Sequence, residues 1–287
     1  MRFEDGGQGK GKERTGGSMS GKTKIEWADR VWNPTVGCTP VSAGCANCYA
    51  KRMYDRFFQG KPFSEVQLHP ERLSDPEKWK APARVFVDSM SDLFHESVPD
   101  VFIEQVWEVM LLSTRHTFMV LTKRPDRMKK WVDQMLTGCM SRVFSNIWLG
   151  VSVEDQKTAD ERIPLLLNTP AAKRFVSVEP MLGAVDIGKY LVPGAAGSPA
   201  EIIKYHDYLD WVICGGESGP GARPMRADWA RGLRDQCQEA GVPFFFKQWG
   251  EWETIGSGER EQLMWLGKQR TGRHLDGKEW NEFPEEK

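Results

Sequence analysis

An α/β fold, a full or partial barrel of parallel strands and helices, is predicted from three observations. Short apolar runs recur along the chain, stretches of helical periodicity separate them, and polar residues follow run after run. Alternation repeated about six times implies a parallel sheet with right-handed crossovers. The runs are "RVFVD" (84–88), "TFMVLT" (117–122), "IWLGVSV" (147–153), "RFVSVEP" (174–180), "WVICGGE" (211–217) and "PFFFKQW" (243–249). They are rich in Val, Ile, Phe and Trp and read as buried strands. An earlier segment, "KIEWADRVW", is expected to supply the first strand.

The intervening segments carry helical signals. Residues 100–112 place Phe102, Val106, Val109 and Met110 on one face, after a Ser97-x-x-Asp100 capping pattern. Residues 125–136 open with Pro125 and repeat apolar groups from Met128 to Leu136. Residues 228–240 space Trp229, Leu233 and Cys237 four apart and stop at Gly241. Residues 155–168 form a weaker pattern, interrupted at Pro164. Residues 183–209 are longer than a crossover needs and read as a surface insertion. Three regions are expected: a disordered Gly- and Lys-rich tail over 1–22, a barrel-like domain over 23–250, and a C-terminal extension over 251–287. Asp276-Gly277 marks a hairpin in the extension.

The barrel is favoured over an open sheet because it brings the polar strand ends to one mouth. They are Asp88, Ser89, Ser91 and Asp92; Lys123 and Arg124; Glu154; Glu179; Glu217; and Lys247 with Gln248. The C-terminal face of such folds carries their chemistry. Formal net charge is −1, so nucleic-acid contact would need a local patch. No run of apolar residues is long enough to span a membrane. No secretory signal is evident, and a cytoplasmic location is expected. The glycines of "ICGGESGPGARP" (213–224), Gly215 and Gly216 among them, allow close approach of backbone to a ligand. No phosphate-loop motif supports ATP hydrolysis.

Three of the six cysteines crowd into "NPTVGCTPVSAGCANCYAKR" (33–52) as Cys38, Cys45 and Cys48. Cys139, Cys214 and Cys237 are scattered and read as small buried hydrophobes. The trio admits three readings. One is structural zinc completed by His69 or His95. The second is a redox or nucleophilic thiol with bystanders. The third is an iron–sulfur cluster with three protein ligands and one open iron.

The loop resembles the cluster loop of radical S-adenosylmethionine (SAM) enzymes, some of which carry Asn-Pro before the first cysteine and Cys-Tyr-Ala at the last. The spacing here is C-x6-C-x2-C, where C-x3-C-x2-C is usual, and Asn47 replaces the common aromatic before the last cysteine. Over 23–284 the motifs "VFVDSMSDLFHESVP", "FMVLTKRP", "WLGVSVEDQ", "DWVICGGESGPGARPM", "PFFFKQWGEW" and "GRHLDGKEW" are similar to a three-cysteine-motif family found in phages, prophages and bacteria, whose function is unsettled.

That resemblance implies a 4Fe–4S cluster on Cys38, Cys45 and Cys48. It also implies SAM as small-molecule partner, a reductant protein, and a 5′-deoxyadenosyl radical acting on a nucleotide or nucleic acid. It implies SAM-facing roles for Tyr49, Asp88, Ser89, Ser91 and Asp92, and ribose contacts for Glu154 and Glu179. Read from the residues themselves, Lys247, which could bind an anionic substrate, and Glu217, grouped with Ser218 and Arg223 in the Gly-rich turn, are the catalytic candidates. The competing classes are a non-enzymatic zinc-binding structural module and a divalent-metal nuclease-like or nucleotide-binding protein. The latter would use Asp88, Asp92, Glu154 and Glu179 as oxygen ligands.

Overall fold

The computed structural model describes residues 20–57, 60–137, 144–194, 207–256 and 262–285. Most of the expected N-terminal tail, Cys139 and the centre of the 183–209 insertion lie outside the described residues. The main sheet has eight strands: β1 (Gly21–Lys22), β2 (Arg30–Trp32), β3 (Arg84–Val87), β4 (Thr117–Thr122), β5 (Ile147–Val153), β6 (Lys173–Val178), β7 (Trp211–Gly215) and β8 (Phe244–Gln248). Spatial order follows chain order. The β1–β2 pairing is antiparallel and every later pairing is parallel.

The sheet is strongly curled. Trp27, just before β2, and Trp211 on β7 have ring centroids 6.2 Å apart. Five strand spacings separate these positions, roughly 24 Å in a flat sheet. The expected partial (β/α) barrel is therefore what the chain builds, with β1 and β8 as its two edges.

Alternation along each strand sorts side chains onto the two faces. On β5, Ile147, Leu149, Val151 and Val153 face the outer layer, and Trp148 and Ser152 lie on the inner face. The outer layer contains α2 (Asp100–Leu112), α3 (Pro125–Thr137), α4 (Gln156–Leu167) and α5 (Ala227–Ala240). Their apolar stripes complete the larger core, for example Phe102, Val106 and Met110 of α2 with Val85, Val87 and Val120. Before them, α1 (Tyr49–Phe57) follows the cysteine loop.

Three local expectations need correction. Pro99 occupies the N-cap of α2, and Ser97 makes no cap; its N–H donates to His95 Nδ1 at 3.1 Å. Pro164 does not interrupt α4, which starts on a capping box between Asp155 and Thr158 and runs to Leu167. The 183–209 connection is not wholly superficial, because Val185, Ile187, Tyr190 and Leu191 are buried in the core.

The C-terminal extension packs on the barrel. Trp252–Ile255 pairs with Gln262–Trp265, and His274–Leu275 pairs with Lys278–Glu279. The expected Asp276-Gly277 turn is present, with φ of 55° and 76° as a two-residue hairpin requires. Residues 280–282 then lie antiparallel along β8. Phe245 bridges Asn281, and Phe246 N donates to Trp280 O at 2.9 Å. This covers the edge of the sheet. Phe283 continues across the N-terminal end of the barrel, where it meets Trp211 and Phe245 and lies under the Arg84 guanidinium at 3.9 Å.

Candidate active site

The inner face changes character from floor to mouth. Its floor is aromatic, built from Phe86, Trp148, Phe175, Trp211 and Phe245. Gly150 has no room for a side chain, since a Cβ there would stand 2.5 Å from the Phe175 ring. Above it, Ser152 and Ser177 are Cα partners across β5 and β6. At the mouth stand Lys123, Glu179, Gly216 and Lys247. These groups line a cavity of about 1480 Å³, which also reaches Cys45, Cys48 and Tyr49.

The cysteine loop is held over this mouth by strand ends. Asn33 is buried and its Oδ1 accepts from Ser89 Oγ at 3.1 Å and Met90 N at 3.0 Å, which locks the turn after β3. Gly37 has φ 102°, with Phe63 O 2.7 Å from where a Cβ would be. Arg124, buried after β4, donates to Thr39 O at 3.1 Å, and its Nη1 stands 3.5 Å from Cys38 Sγ. Ser42 Oγ donates to Glu154 Oε1 at 2.8 Å, and a Cβ on Gly44 would stand 2.5 Å from the same carboxylate. Asn47 Nδ2 donates to Glu217 Oε2 at 2.9 Å, and Arg223 Nη2 donates to Ala43 O at 2.9 Å.

The strand-end residues thus divide. Ser89, Glu179, Gly216, Glu217, Lys247 and Tyr49 line the cavity, whereas Asp88, Ser91, Asp92, Glu154 and Gly215 do not. Asp88 accepts from Thr35 N at 3.0 Å, and Ser91 Oγ donates to Gly37 O at 2.8 Å. Asp92 accepts from Thr122 Oγ1 at 2.7 Å, Lys123 N at 3.0 Å and Arg124 Nη1 at 3.2 Å. Glu154 is fully buried between Lys123 Nζ at 2.5 Å and Arg162 Nη1 at 3.3 Å. Tyr49 OH donates to Ser89 O. Glu179 pairs with Lys247, whose Nζ stands 2.9 Å from its Oε1.

Electrostatics follow from these contacts. Burial, reinforced by Asp92, pushes the Asp88 carboxyl up to about 8 against the hydrogen bonds from Thr35. Burial opposes ionisation of Glu154, yet Lys123 and Arg162 outweigh it and hold the carboxyl below its ordinary value. Burial likewise opposes ionisation of Glu217, and the hydrogen bonds from Arg223 and Asn47 prevail. Burial and then Asp92 push the Cys38 thiol up to about 11, although Arg124 pulls the other way.

Cys38, Cys45 and Cys48 are free, half-buried thiols on one loop, and Cys45 and Cys48 line the cavity. Among the described residues, no three His, Cys, Asp or Glu groups stand close enough to hold a metal ion as one site. His69 Nδ1 is engaged by Glu71 at 2.8 Å, and His95 Nε2 by Thr39 Oγ1 at 2.8 Å. The donor set suits an iron–sulfur cluster, whose cysteine ligands are soft thiolates and sit on separate irons. A bound metal would deprotonate Cys38 outright despite its raised pKa.

Sequence reasoning did not single out Arg124 as a clamp, nor Ser42, Ser152 and Ser177. The two inward serines had a signal. Each stands two residues before a strand-end glutamate, and so shares its face.

No helix among the described residues is long and apolar enough to cross a membrane. A comparison with the curated proteins finds no match. Among solved structures, the chain is similar to a spore photoproduct lyase complexed with dinucleoside spore photoproduct, at 12% identity and TM-score 0.43, covering 90% of this chain and 73% of the other. It is similar to a mutant of that lyase with bound AdoMet and dinucleoside spore photoproduct, at 11% identity and TM-score 0.44, with the same coverage. The family model described as "Protein of unknown function (DUF5131)" matches residues 22–284, and the chain belongs to that family.

Proposed function

We propose that this chain is a radical SAM enzyme in which Cys38, Cys45 and Cys48 hold a 4Fe–4S cluster and the cavity receives SAM and substrate. One observation carries the reading. The loop with three free thiols forms a wall of a cavity of about 1480 Å³, more than the roughly 300–1,000 Å³ of a site for one small ligand. When bound, the cluster supplies the electron, drawn from a reductant protein, that breaks the S–C5′ bond of SAM and gives a 5′-deoxyadenosyl radical.

The chain's own residues bind, orient and exclude water. Ser89 and Tyr49 lie beside Cys48 and offer hydrogen-bonding groups to SAM. Glu179 offers carboxylate oxygens to ribose hydroxyls while Lys247 keeps it paired. Lys247 is the candidate catalytic residue, with an ammonium placed to orient an anionic group of substrate or SAM. Glu217 acts as a positioning residue, because its two oxygens are engaged by Asn47 and Arg223. Asp88, Ser91, Asp92 and Glu154 support the same site from behind the cavity wall. The aromatic floor closes the inner face below the cavity.

The test is turnover. Reduced protein kept from oxygen and given SAM is expected to release 5′-deoxyadenosine, and Cys45→Ala to release none. Equal release from Cys45→Ala, or none from cluster-loaded wild type, would contradict the proposal.

A further inference from the structure

The outer half of the cavity has features that cofactor binding does not use. Helix α1 carries Met53 and Phe57 at i and i+4, both lining the cavity and 47% and 62% exposed. Exposed apolar groups at a site mouth mark a contact surface. Around them lie four cations that also line the cavity: Lys22, Lys24, Arg56 and Lys268. Among the described residues none of the four makes an ion pair, unlike Lys123 and Lys247 further in.

We infer that the mouth takes a single-stranded nucleic acid: phosphates on Lys22, Lys24, Arg56 and Lys268, and a base against Met53 and Phe57. This rests on the cavity being the active site proposed above. Unpaired cations beside exposed apolar and aromatic groups are the combination that grips a single strand. The net charge of −1 makes this positive rim a local feature. A duplex keeps its base edges paired and stacked, so its affinity is expected to be lower.

The test uses fluorescein-labelled 12-mer DNA and RNA single strands, the DNA duplex, and polyglutamate as a competitor, with full-length protein in fluorescence anisotropy. Binding of a single strand is expected, with a log Kd against log salt slope of about 3 for four phosphate contacts. Preference between DNA and RNA identifies the strand. Lys24→Glu combined with Arg56→Glu is expected to weaken binding more than tenfold, and Phe57→Ala about fivefold or more. All three positions are exposed, so circular dichroism should stay unchanged. Cluster-free wild-type protein should bind the strand as cluster-loaded protein does, which separates this inference from the cluster. Strand binding by wild-type protein that takes up no iron or sulfide without oxygen would overturn only the radical SAM reading. No strand binding by cluster-loaded protein, insensitivity to both sets of substitutions, or equal competition by polyglutamate would overturn the inference.

Discussion

The two sides of the barrel mouth use the same residue types for opposite ends. On the clamped side, Asp92 and Glu154 are buried away from the cavity and tied to Arg124, Lys123 and Arg162, and the cysteine loop rests on them. On the open side, Glu179 and Lys247 pair with each other and still line the cavity. The difference lies in what covers each carboxylate. Gly44 and Ser42 lie directly on Glu154, whereas Glu179 has the cavity before it. A strand-end acid under the loop is part of its foundation, and one beside the cavity is free to meet a ligand.

The largest effect is expected from removing the foundation. Glu154→Ala would leave Lys123 and Arg162 without their buried counter-charge, and a loss of about 3–5 kcal/mol is expected in denaturant unfolding. Gly44→Ala tests the same contact from the loop, where the added methyl meets Glu154 at 2.5 Å. A loss of about 1–3 kcal/mol is expected, with weaker cluster retention. If both variants unfold like wild type, the clamp is not structural.

Asp88 gives a pH-dependent comparison. Its carboxyl titrates near 8 in the folded protein and near 3.8 when free, so between those values the folded protein holds a proton that the unfolded chain has lost. Stability contributed by this group is full below about 4 and declines as pH rises through 8. Asp88→Asn keeps an acceptor for Thr35 N and suits the φ of 57°. The variant is expected to flatten the decline and to exceed wild type at pH 9 by on the order of 2 kcal/mol. The smallest stability effect is expected on the open side. Lys247→Met should cost less in unfolding than Glu154→Ala, whose carboxylate is fully buried, while reducing SAM cleavage much more. A large stability loss there would erase the distinction between the two sides.

The barrel was legible because its strands read as apolar runs ended by polar residues, a pattern that sheet curvature does not disturb. The division of the mouth was not. Asp88 and Ser89 are adjacent in sequence, but the positive φ at Asp88 sends one side chain to Thr35 and leaves the other at the cavity. No periodicity encodes such a turn. The hairpin arm Gln262–Trp265 was missed because all four of its residues are exposed, so burial leaves no alternation in its sequence. Phe283 was unremarkable as a single aromatic near the chain end. Its role follows only from the curl that brings Arg84, Trp211 and Phe245 together.

The most direct measurement is the iron and acid-labile sulfide content of protein purified without oxygen, read with its visible spectrum. About four of each per chain is expected, with absorption that bleaches on reduction and is lost in Cys45→Ala. Colourless protein with stoichiometric zinc, or iron and sulfide unchanged by the loss of Cys45, would contradict a three-cysteine cluster at this mouth.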